Sequence, residues 1–163
     1  MRVVLDTNIL ISALLVQLGY PAAIYSAWQE GFFTLLICRE QLDELRATLH
    51  KPAIAERIKP YSAKGAASTI VRGGNHFAPH SVLRGFLGRA GRLVNQLKEL
   101  AEDIGPLPRV ERSPDPTDDF LLALSEAGNA DYLVTGDKSG LLVLARHHAT
   151  RIVPAREFAA LFA

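Results

Sequence analysis

Short apolar runs that stop at an acid recur along the chain. Arg2-Val3-Val4-Leu5 ends in Asp6, and Tyr132-Leu133-Val134-Thr135 leads through Gly136 to Asp137. Phe33-Thr34-Leu35-Leu36-Ile37 and Arg151-Ile152-Val153 share the lack of polar alternation. A strand buried on both faces needs such a continuous run, so the pattern predicts parallel strands at 2–6, 33–37, 132–135 and 151–153. Between them apolar positions recur at helical spacing. They predict helices at about 8–16, 21–30, 39–50, 118–128, 139–147 and 155–162, with Pro21 and Pro154 as helix starters. Strands alternating with helices in this order indicate a doubly wound α/β structure.

The middle of the chain breaks the alternation. From Pro52 to about Pro108 there is no strand signal, and the segment reads as several helices. Gly73-Gly74-Asn75-His76-Phe77-Ala78-Pro79 reads as a loop, and Gly85, Gly88 and Gly91 weaken the helix around them. Arg112-Ser113-Pro114-Asp115-Pro116-Thr117 is a turn-rich connector in which Thr117 is suited to cap a helix starting at Asp118. No internal repeat is visible.

With 163 residues, 48% of them apolar, the chain has the size of one well-buried domain, 1–163. No apolar run reaches the ~18–20 residues of a membrane span, and Arg2 runs straight into a strand pattern, so neither a signal peptide nor a transmembrane helix is expected. The lone Cys38 reads as a small buried hydrophobe and fits a reducing, cytoplasmic setting. Charge is distributed unevenly. No Asp or Glu occurs from Arg57 to Lys98, which carries eight bases: Arg57, Lys59, Lys64, Arg72, Arg84, Arg89, Arg92 and Lys98. The remainder has ten bases against all seventeen acids. An acidic body with one basic segment suits a polyanionic partner.

Strand-end acids mark the carboxyl edge of a sheet, where open α/β folds keep their sites, and a cluster of them is a place for a divalent metal. Asp6-Thr7-Asn8 and Thr135-Gly136-Asp137 each follow a strand and open a helix, so each acid is a candidate ligand and a candidate N-cap. On a helical wheel Asp118 stacks with Leu121, Leu122 and Ser125 and leans inward, while Asp119 leans toward solvent. The helix Arg39–Leu49 packs through Leu42, Leu45 and Leu49, and its wheel does not choose among Glu40, Asp43 and Glu44.

Taken together, Val4-Leu5-Asp6-Thr7-Asn8-Ile9-Leu10, Leu42-Asp43-Glu44-Leu45, Asp115-Pro116-Thr117-Asp118 and Ala130-Asp131-Tyr132-Leu133-Val134-Thr135-Gly136-Asp137 resemble the PIN-domain family of metal-dependent ribonucleases. The nearest branch is the bacterial and archaeal one that supplies toxin components of toxin–antitoxin pairs. The resemblance covers roughly residues 1–50 and 113–163, in the family's order. It implies a three-layer α/β/α fold with a mostly parallel sheet of four to five strands and an additional helical middle. It also implies that Asp6, Glu44, Asp118 and Asp137 are the acidic metal and catalytic residues, with Asn8 a polar helper; the choice of Glu44 rests on the resemblance. Relatives often carry a further acid after the equivalent of Asp137, where this chain has Lys138-Ser139-Gly140, and Thr117 stands where many carry Asp.

Ionised carboxylates about 4 Å apart repel by ~4 kcal/mol at an effective dielectric near 20, a conflict that a cation removes. Oxygen-only ligands suit Mg2+ or Mn2+; no paired Cys or His-rich spacing calls for zinc, and His147-His148 reads as a surface feature of a helix. The expected activity is metal-dependent hydrolysis of single-stranded RNA. Arg84, Arg89 and Arg92 are the candidate phosphate contacts, and an antitoxin and a second copy of the chain are the candidate protein partners. The alternatives are a catalytically silent RNA-binding relative and a metal-dependent phosphatase. A phosphatase of the haloacid-dehalogenase type needs a second acid two residues after the first, and the chain has Asn8 there.

Overall fold

The computed structural model describes residues 1–54 and 80–162. In chain order the elements are β1 (Arg2–Leu5), α1 (Thr7–Leu15), α2 (Tyr20–Gln29), β2 (Thr34–Ile37), α3 (Arg39–Leu49), α4 (His80–Leu100) and β3 (Glu102–Asp103), followed by α5 (Asp119–Ala127), β4 (Tyr132–Thr135), α6 (Leu141–Leu144), β5 (Arg146–His147), β6 (Thr150–Pro154) and α7 (Ala155–Ala159). The sheet has the order β3-β2-β1-β4-β6-β5. Every pairing is parallel except that of β5 with β6.

Strand side chains alternate between two apolar layers, as the pleat requires. Val3, Leu5, Leu35, Ile37, Val134 and Val153 face one cluster, which α1, α2, α3, α4 and α7 cover with Leu10, Trp28, Leu45, Leu93 and Phe158 among others. Val4, Leu36, Leu133 and Ile152 face the other, covered by Leu121, Leu122 and Leu124 of α5 and Leu141 of α6. Both faces of the central strands are dry, which explains their unbroken apolar sequence. The protein is a three-layer α/β/α structure with a mostly parallel sheet.

Four strands lie where the sequence pattern puts them, and two short edge strands extend the sheet to six. Glu102–Asp103 falls inside the segment read as strandless. Its two charged residues pair through backbone with Leu36 and Ile37, and Arg2 reaches across to bond Glu102 with its two terminal guanidinium nitrogens, at 2.8 and 2.9 Å. Side-chain periodicity carries no trace of such a pairing.

The helix expected at 139–147 is a second correction: it stops at Leu144. Ala145 adopts φ 55° and His148 φ 50°, and the chain folds into a tight β5–β6 hairpin. His147 pairs with Thr150 there and is buried, so the His147-His148 pair is not a helix surface. In contrast, α4 runs unbroken through Gly85, Gly88 and Gly91. Phe86, Ala90, Leu93 and Leu97 form its buried stripe, and the three glycines occupy its exposed side. Packing of that stripe outweighs a helix cost of ~1 kcal/mol per glycine. The loop expected at Gly73–Pro79 and the bases Arg57, Lys59, Lys64 and Arg72 lie outside the described residues. No single helix among the described residues is long and apolar enough to cross a membrane.

Candidate functional site

Strand β1 lies between β2 and β4, and the connections leaving β1 and β4 diverge from their carboxyl ends. This is the crevice position of an open α/β sheet. A backbone bond from Asp6 N to Val134 O, 2.9 Å, fastens the two strand ends together. Above them opens a polar cleft of about 620 Å3 lined by Asp6, Asn8, Asp115, Asp118, Asp137 and Ser139 among others.

Asp6 is the most buried of these acids, 6% exposed. Its Oδ1 accepts from Asn8 N at 3.0 Å, capping α1, and its Oδ2 accepts from Thr135 Oγ1 at 2.6 Å. The cap and cleft roles therefore coexist in one carboxylate. Thr135 Oγ1 also accepts from Asp137 N at 3.1 Å, so a single hydroxyl at the end of β4 positions both strand-end acids. Asp137 is clamped by its own turn: Oδ1 accepts from Ser139 N and Oγ, and Oδ2 from Leu141 N, at 3.1–3.3 Å. Gly140 closes the clamp, since a Cβ at that position would collide with the Asp137 carboxylate.

The connector brings Asp118 from the opposite side. Asp115, rather than Thr117, caps the turn Pro116–Asp118: its Oδ1 accepts from Thr117 N at 2.9 Å and from Thr117 Oγ1 at 2.8 Å. Helix α5 begins one residue later than expected, at Asp119. Asp119 Oδ1 turns back to accept from Arg112 N at 2.9 Å and Ser113 N at 2.7 Å, so this acid holds the connector and does not line the cleft. Among the described residues no hydrogen bond holds the Asp118 carboxylate.

On α3 the structure distinguishes the three acids. Asp43 pairs with Arg39 and Arg46, and Glu40 lies by a separate groove with Asp103 and Pro106. Glu44 receives a 2.5 Å bond from Thr7 Oγ1, next in sequence to Asp6. It flanks the cleft without lining it, and its charge still reaches Asp118.

Electrostatics tie the group together. Asp118 is pushed up to about 6, first by burial and then by the charges of Asp6, Asp115, Asp137 and Glu44. Burial also raises Asp6, against the bonds from Thr135 and Asn8 that lower it. Bonds from Thr117 hold Asp115 below the ordinary carboxylate value. Oxygen donors alone, mutual repulsion and a carboxylate with no hydrogen-bond partner among the described residues fit a hard divalent cation, which would relieve the repulsion.

Asp6, Asp118 and Asp137 thus meet at one cleft with Asn8, and Glu44 stands beside them. Arg84, Arg89 and Arg92 lie on α4 and are not among the cleft's lining residues; Arg84 and Arg92 are exposed, and Arg89 is half-buried. Three contributors escaped the sequence reading. Thr135 was signalled only by a hydroxyl ending an otherwise apolar strand, Asp115 read as a turn former, and Gly140 read as a departure from relatives.

No curated protein and no solved structure matches the chain significantly. A family model described as PIN domain matches residues 2–139. PIN domains are generally nucleases and usually use divalent metal ions. The matched span begins in β1 and ends at Ser139, taking in all the cleft acids, and the chain belongs to the PIN-domain family.

Proposed function

We propose that the protein is a divalent-metal-dependent endoribonuclease that hydrolyses phosphodiester bonds of single-stranded RNA. The observation that carries this reading is the convergence of Asp6, Asp118 and Asp137 on one cleft, where burial first and the neighbouring carboxylates second push Asp118 up to about 6. Mg2+ or Mn2+ held by these three acids would orient and acidify a water and neutralise charge building on the phosphoryl oxygens. Asp6 and Asp137 are preset by Thr135 and by the Ser139–Leu141 backbone, while Asp118 has freedom to adjust. Glu44, oriented by Thr7, accepts the proton of the attacking water, and Asn8 offers an amide to the substrate phosphate. Water oxygen bonds to phosphorus as the bond to the leaving ribose oxygen breaks and that oxygen takes a proton from solvent, so no side-chain nucleophile is required. Arg84, Arg89 and Arg92 supply phosphate contacts away from the cut. A haloacid-dehalogenase-type phosphatase is disfavoured because Asn8 stands in place of its second acid.

Purified protein should cut a generic single-stranded RNA with Mg2+ or Mn2+ and not in excess chelator. Asp118→Asn should abolish cutting while keeping the fold by circular dichroism. Full activity in chelator would overturn the reading, and binding without any cleavage would favour the silent RNA-binding alternative. Replacing Arg84, Arg89 and Arg92 with Ala should weaken binding and reduce the log–log salt slope by about 0.7 per lost contact.

The same reading makes the chain the toxin of a toxin–antitoxin pair, acting as a homodimer and neutralised by a cognate antitoxin. Its support is the motif resemblance. Induced expression should arrest growth in an Asp118-dependent manner, and coexpression of an adjacent small open reading frame should relieve the arrest.

A further inference from the structure

Away from the cleft, the last turn of α5 meets the β5–β6 hairpin at Glu126, His147 and His148, whose ligand atoms all lie within 4.8 Å of one another. Glu126 Oε2 is 3.3 Å from His147 Nε2 and 3.4 Å from His148 Nε2. Tetrahedral zinc with bonds of 2.0–2.1 Å separates its ligand atoms by about 3.3–3.4 Å along each edge. Two imidazoles and one carboxylate suit zinc and its neighbours rather than magnesium. We propose that Glu126, His147 and His148 form a second metal site, for a transition-metal ion of the zinc class, sharing no residue with the acidic cleft.

Two further features support it. His148 adopts φ 50°, as the first residue of a two-residue hairpin turn does, and the turn sets its ring 4.5 Å from that of His147, centroid to centroid. His147 is 3% exposed, and burial pushes its pKa below the ordinary imidazole value, favouring the neutral form that ligates metals.

Arg112 competes with the ion. Its Nη1 lies 3.1 Å from His147 Nδ1, and a guanidinium only donates, so Nδ1 accepts and the ring proton sits on Nε2, facing Glu126. Ligation through Nε2 by the neutral ring requires that proton to shift to Nδ1, which Arg112 must vacate. Arg112 is exposed and free to do so. Because Arg112 begins the connector that delivers Asp118, the ion would displace one of the connector's side-chain ties.

The test is a titration of the full chain with Co2+, a spectroscopic substitute for zinc, in millimolar Mg2+ to occupy the acidic cleft. One equivalent should bind with visible bands of tetrahedral coordination and be displaced by Zn2+. Affinity should fall at least about tenfold in His148→Ala and in Glu126→Gln, persist in Asp6→Asn, and rise in Arg112→Ala. His148 and Glu126 are exposed, so their variants keep the core intact. Absence of binding, binding that survives both His148→Ala and Glu126→Gln, or binding lost in Asp6→Asn would each overturn the proposal.

Discussion

Burial and its acidic neighbours push Asp118 well above the ordinary carboxylate value, and its behaviour with pH follows from that. Its folded pKa of about 6 lies above the unperturbed value of 3.8. Without a divalent cation its contribution to stability is therefore fully present below pH 3.8 and lost as pH rises through about 6. Wild type minus Asp118→Asn should show this loss as a melting-temperature difference that grows across the window. Solvent screening limits it to about 1 kcal/mol, or ~2–4 °C. A difference that does not change with pH would contradict the upward shift of Asp118. Gly140 gives an independent test. Gly140→Ala pushes the Asp137 carboxylate out of its clamp, and a displacement near 1 Å at such a site costs about 100-fold in rate. Cleavage assays beside thermal melts should show activity falling far more than stability. Asp119→Asn should be mild, because the retained oxygen still accepts from Arg112 and Ser113, whereas Asp119→Ala should loosen the connector.

At the scale of elements, α4 shows packing overriding local preference. Its glycines sit on the solvent side, and a Cβ at Gly85 or Gly91 meets open space. Gly85→Ala and Gly91→Ala should each stabilise the protein by ~0.5–1 kcal/mol, measured by urea unfolding, mainly through lower unfolded-chain entropy. Destabilisation by either would mean that this helix face is covered. The helix predicted at 139–147 shows the opposite balance. Leu141-Leu142-Val143-Leu144 has a helix-like apolar run, but only Leu141 is fully buried and Val143 is 66% exposed. With so little to bury, the helix ends at Leu144 and the following residues form the hairpin at the sheet edge.

For the whole molecule, the cation and the fold are linked. If magnesium binds with millimolar affinity, ten times that concentration stabilises the native state by about 1.4 kcal/mol, or ~3–6 °C in melting temperature. The increase should shrink in Asp118→Asn; an undiminished increase would place the magnesium elsewhere. The sequence by itself determined the layers, because strands dry on both faces must be continuous apolar runs and their covering helices must carry apolar stripes. It also marked Asp6, Asp118 and Asp137, since strand ends and helix starts are local events written in consecutive residues. Tertiary structure alone decided which α3 acid approaches the cleft, because a helical wheel leaves neighbouring exposed positions equivalent until Thr7 supplies a partner for Glu44. It alone decided that Thr135 serves two acids, since the β1–β4 pairing brings Asp6 to it, and that Gly140 must lack a side chain, since the turn folds the Asp137 carboxylate over it. The edge strands and the Glu126–His147–His148 cluster were equally hidden, because backbone pairing and hairpin closure leave no periodic signature in the side chains.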